Sequence, residues 1–170
     1  GLGHLGEDGE FYNCHQGKDF AAITGLTKLD ISQIPPMVAR GVLIDVAKHL
    51  GVSHLSAAQP ISTQDLQSAM TEQNITVREG DVILLHTGYT DAFLEADPQL
   101  WGSTIPGITN DAARFLASLK PLAVGADTWG LGAVPPAPGD KVFYDHAILL
   151  KQNGIYILET MNTGRLAAEA

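Results

Sequence analysis

His146-Ala-Ile-Leu-Leu-Lys-Gln-Asn-Gly-Ile-Tyr-Ile-Leu-Glu159 contains the unit from which the fold is read. Its first half closes a helix expected from about Phe143 to Gln152, and Asn153-Gly154 is a common left-handed helix terminator. Ile155-Tyr-Ile-Leu158 is a short apolar run of strand type, and Glu159 stands at its end. A tight turn at Gly154 makes helix and strand antiparallel neighbours, so His146 can approach the strand end that carries Glu159.

The same alternation extends back through the chain. Leu122-Ala-Val-Gly-Ala126 reads as a strand after a helix that starts at Thr109 or Asn110 and buries Ala112, Phe115, Leu116 and Leu119. Val82-Ile-Leu-Leu85 is the strongest strand, entered through Glu79-Gly80-Asp81. A helix before it begins near Ser62 and Thr63, carries Asp65 in its first turn, and spaces Leu66, Ala69 and Met70 as an apolar stripe. Gly41-Val-Leu-Ile-Asp-Val46 is a further buried strand. Residues 1–40 have no clear period, and Pro135-Pro-Ala-Pro-Gly139 is a stiff loop with few backbone donors. Strands alternating with helices imply a largely parallel sheet with covered faces, in one α/β domain across residues 1–170.

Composition narrows the function. Nineteen acidic against ten basic side chains give a net charge of −9, which argues against a nucleic-acid partner. No apolar run reaches the ~18 residues of a membrane span. Cys14 is the only cysteine, so an internal disulfide and a thiolate zinc cluster are excluded, and a cytoplasmic protein is expected.

Gly1-Leu-Gly-His-Leu-Gly6 spells a dinucleotide loop, yet no strand precedes it and Glu7-Asp-Gly-Glu10 would set negative charge beside the phosphates. His146 with Glu159 is the better candidate. Imidazole and carboxylate ligate zinc or manganese where no thiolate is present, and a glutamate straight after an apolar strand is costly to bury unpaired. A plain solvent-exposed strand end also fits the spacing. His4 among glycines is either a surface residue or a catalytic imidazole. Asp127 ends a strand where α/β sheets place functional groups, and it equally suits a turn cap for Thr128-Trp129. Cys14, His49, His54 and His86 read as structural.

Several stretches together resemble the cyclase family that includes bacterial kynurenine formamidases and isatin hydrolase. They are Gly1 to Gly6 with Tyr12-Asn13, Arg40 to Asp45, Gly80-Asp-Val-Ile-Leu-Leu-His-Thr-Gly88, Pro106-Gly107, Gly125-Ala-Asp-Thr-Trp129, and His146 through Glu159, in the family's order. The resemblance implies a swivelling β/β/α fold with a mixed central sheet covered by helices. It also implies hydrolysis of an amide or cyclic amide bond with one or two zinc or manganese ions. His146 and Glu159 match the family's C-terminal metal ligands, and His4 matches its acid–base histidine. Trp129 and Asp127 are the expected substrate-binding residues, the substrate a small aromatic molecule; Tyr89 and Trp101 either add apolar walls or are packing.

The family's N-terminal His-x-Gly-Thr-His-x-Asp motif is absent, so an N-terminal segment carrying the remaining ligands is expected upstream of Gly1. Apolar loop residues from Ile31 to Met37 make a homo-oligomer an expectation too. Cyclisation of a polyketide-like substrate and a non-catalytic binding or assembly role are the alternatives.

Overall fold

Four of the apolar runs become the strands of one parallel sheet in the computed structural model, which describes residues 1–170. They are β1 (Gly41–Asp45), β2 (Val82–His86), β3 (Ala123–Ala126) and β4 (Tyr156–Leu158), in the spatial order β1-β2-β3-β4. The register pairs Asp45 with His86, Leu85 with Ala126 and Gly125 with Leu158, so all four strands end along one edge. Antiparallel pairing is confined to the small hairpin Ala21–Ala22 with Gly25–Leu26 and to isolated bridges. The central sheet covered by helices is thus present, with its main strands all parallel.

Helix α1 (Thr63–Glu72) starts as its sequence signals. Ser62 and Asp65 form a reciprocal capping box, the Ser62 hydroxyl accepting from Asp65 N and the Asp65 carboxylate from Ser62 N at 2.8 Å. Helix α2 (Asn110–Ser118) is capped by Thr109, whose Oγ1 accepts from Ala112 N. The apolar faces of both helices join Ile44, Ile83, Leu85, Val124 and Ala126 of the sheet in one continuous core. Strand β1 stops at Asp45 because its carboxylate turns back to accept from Lys48 N, starting the helical turn Val46–His49.

The stretch expected as a plain α-helix from Phe143 to Gln152 is different. A single α-turn, Tyr144–His146, continues as a π-helix over Ala147–Gln152. The wider winding is closed by Asn153, whose Nδ2 donates to Ile148 O at 2.7 Å, and by Ile155 N bonding to Leu149 O. Gly154 then takes φ of +65°, as the turn requires, with the Tyr12 ring packed against it. The π-helix buries Ile148, Leu149 and Leu150, and it delivers the chain to β4. In residues 1–40, only Leu2 and Phe20 are buried. No helix is long and apolar enough to cross a membrane.

Candidate active site

The strand-end edge concentrates the polar side chains. Glu159 follows β4, and its place is set by two backbone bonds just beyond it, Thr160 N to Thr128 O and Met161 N to Ala126 O. His146 comes from the turn that opens the π-helix and is 4% exposed. Its Nε2 lies 3.1 Å from Glu159 Oε1, and its Nδ1 lies 2.9 Å from Asp145 Oδ2. Burial by itself lowers the pKa of His146, but hydrogen bonds and charge from Asp145 and Glu159 outweigh it and raise the value to about 9. Metal-free at neutral pH, the ring is an imidazolium that donates to both carboxylates.

An open cavity of about 410 Å³ lies against this pair, lined by His4, Leu5, Trp129, Phe143, His146 and Glu159. The exposed His4 ring is 5.8 Å from that of His146, and Phe143 meets His146 edge-on at 5.7 Å. One rim therefore carries two imidazoles and a carboxylate, and the other is aromatic and aliphatic.

The structure brings together His4, Trp129, His146 and Glu159, but it does not bring in Asp127. That carboxylate is 3% exposed, and its Oδ1 accepts from both Thr87 N and Thr87 Oγ1 at 2.8 Å. It fastens β3 to the turn after β2 and does not line the cavity. Desolvation pushes its pKa up against those two hydrogen bonds, and Oδ2 is buried without a partner.

Asp145 is the residue that the sequence reading missed. Side chains adjacent in sequence do not face each other on a regular helix. Here the chain enters the turn from Phe143 in a left-handed conformation, φ +56°, and Asp145 and His146 converge. Asp145 needs room that only glycine leaves at position 132, where an added Cβ would stand 2.7 Å from its Oδ1. A carboxylate on the second nitrogen of a ligand histidine fixes ring orientation and tautomer.

The donor types suit zinc or manganese, namely one imidazole nitrogen and one carboxylate aimed at the same cavity. The number does not. No three His, Cys, Asp or Glu side chains gather anywhere to hold an ion, whereas zinc sites use three or four protein ligands.

A parallel α/β sheet with an imidazole–carboxylate pair at its carboxyl edge defines the class. Comparison with known proteins is consistent with it: the family described as "Putative cyclase" matches residues 4–133, and the chain belongs to that cyclase family. A solved structure described as a novel cyclase is 26% identical and superposes with a TM-score of 0.88 over 99% of this chain and 56% of that one. Isatin hydrolase A from Ralstonia solanacearum (19% identity, TM-score 0.60, 78% of this chain and 51% of that chain) shares the fold. So does isatin hydrolase A from Labrenzia aggregata bound to benzyl benzoate (21%, TM-score 0.57, 85% and 54%). No curated protein sequence matches the chain. It spans about half the length of these solved structures.

Proposed function

We propose that these residues form part of the active site of a metal-dependent hydrolase acting on an amide or cyclic amide bond, in the manner of an arylformamidase. The observation that carries this reading is the 3.1 Å approach of His146 Nε2 to Glu159 Oε1 at the mouth of a cavity shared with His4. His146 and Glu159 would supply two of the ligands of a zinc or manganese ion. A bound ion of this kind polarises a carbonyl and acidifies water. Asp145 keeps the His146 ring turned so that Nε2 faces the cavity. His4, exposed beside His146 on the same rim, delivers a proton to the leaving nitrogen, a task suited to imidazole near neutral pH. Trp129 forms an apolar wall for a small aromatic substrate. The exposed Ile23, Ile31, Met37 and Val38 support a homo-oligomer.

The test uses the gene product that contains these residues, supplied with Zn²⁺ or Mn²⁺ and assayed on isatin, N-formylkynurenine and simple lactones. Metal-dependent opening or deformylation of the first two is expected, and it should be lost in Glu159→Ala. Hydrolysis that survives chelation would sink the reading. Turnover of lactones alone would move the substrate class towards the polyketide-like chemistry of a cyclase. The two-donor count favours a second reading, a non-catalytic binding module, and absence of metal-dependent turnover on every substrate would select it.

A further inference from the structure

Trp129 is the one large ring of the cavity whose orientation is fixed by polar bonds. Its Nε1 donates to Trp101 O at 2.6 Å, and Trp101 Nε1 donates to Thr90 Oγ1 at 3.0 Å. The Thr90 hydroxyl in turn donates to Asp127 O at 2.6 Å. Asp127 lies two residues before Trp129, so the bonds form a circuit that leaves the turn after β3, passes through two other elements and returns to the same turn. Those elements are the helical segments Tyr89–Phe93 and Pro98–Ser103. Both tryptophans and Thr90 are half-buried, so packing alone does not immobilise the rings.

The circuit has a chemical consequence. The single polar atom of the Trp129 side chain is consumed by a backbone carbonyl, leaving no free donor on that ring to offer a ligand. Phe143 contrasts with it, being 39% exposed with no polar atom to anchor it.

We infer that Thr90 and Trp101 are positioning residues that hold Trp129 as a fixed, donor-free wall, so that the part of the ligand lying there is flat and accepts no hydrogen bond from it. This rests on reading the His146 cavity as the substrate site. Thr90 touches neither the cavity nor the His146–Glu159 pair, and it acts through Trp101.

The chain has two tryptophans, hence two indole N–H signals in a nitrogen-correlated NMR spectrum. Thr90→Val deletes both bonds of the hydroxyl, and Thr90→Ser keeps them. In Thr90→Val, both indole signals should shift and lose protection from solvent exchange, Trp129 included although residue 90 makes no hydrogen bond to it. Benzyl alcohol, titrated as a flat probe, should perturb the Trp129 signal saturably in the wild type. Its Kd should rise about fivefold in Thr90→Val, the scale of freeing one ordered side chain, and return in Thr90→Ser. Should Thr90→Val not fold, Trp101→Phe removes the same bond from the other side while keeping the carbonyl that receives Trp129.

An unmoved Trp129 signal in the variant that folds overturns the inference. So does equal probe affinity in variant and wild type, or a wild-type Trp129 signal that the probe does not perturb. None of these readouts needs metal or turnover, so failure of the hydrolase assays is distinguishable from failure of the circuit.

Discussion

The two imidazoles that face the cavity sit on very different supports. His146 is buried in the turn that opens the π-helix, between two carboxylates, and the π-helix itself enters the core through Ile148 and Leu149. His4 is exposed on a segment tethered nearby by the buried Leu2 and by two backbone bonds, Gly3 N to Leu29 O and His4 N to Gly1 O. The His146–Glu159 pair is therefore placed by the same packing that folds the protein, and His4, the proposed proton-transfer group, is not.

The largest test of that division is in the core. Leu85→Ala should cost ~3 kcal/mol of unfolding free energy in urea, and Ile31→Ala, at 71% exposure, less than ~0.5 kcal/mol. Comparable losses at both sites would mean that the N-terminal third is as integral to folding as the sheet. His4→Ala comes next. It should lower turnover of the active gene product by ~10²-fold, the usual scale for a general acid–base group, while leaving the thermal midpoint in place. Unchanged kcat would remove His4 from the chemistry.

A third test concerns pH in the metal-free chain. His146 has a folded pKa of about 9, above the ~6.5 of an unfolded histidine. Its contribution is complete below pH ~6.5 and disappears as pH rises through ~9, on the order of 3 kcal/mol. Thermal midpoints should decline across that window, and Asp145→Asn should flatten the decline. A profile as steep in Asp145→Asn as in wild type would contradict the assignment. A smaller loss than that at Leu85 is expected for Ser62→Ala, where losing the capping box of α1 should cost ~1 kcal/mol by denaturant titration, with the site untouched.

Much of this arrangement was legible in the chain. The period of Leu66, Ala69 and Met70, the cap at Thr109 and the apolar runs at 82–85 and 155–158 locate elements through local rules, and the structure keeps them. The approach of His146 to Glu159 followed from a tight turn at Gly154. What was not legible depends on winding and depth. The π-helix arises from Asn153 reaching back to Ile148, a bond that no periodicity announces. Asp127 has the right strand-end address, yet Thr87 holds it inside the fold. Asp145 escaped notice because neighbours along a helix normally diverge, and the Thr90–Trp101–Trp129 circuit joins residues far apart in sequence.

Gly132 turns a silent position into a sensitive one. It does not line the cavity and bears no side chain, yet its bare α-carbon is the hollow in which the Asp145 carboxyl rests. One methyl group there would push that carboxyl aside and disturb the approach of the neighbouring imidazole to Glu159 without altering either group. Substitutions able to disable this protein thus include a site thirteen positions upstream that an inventory of ligands would pass over.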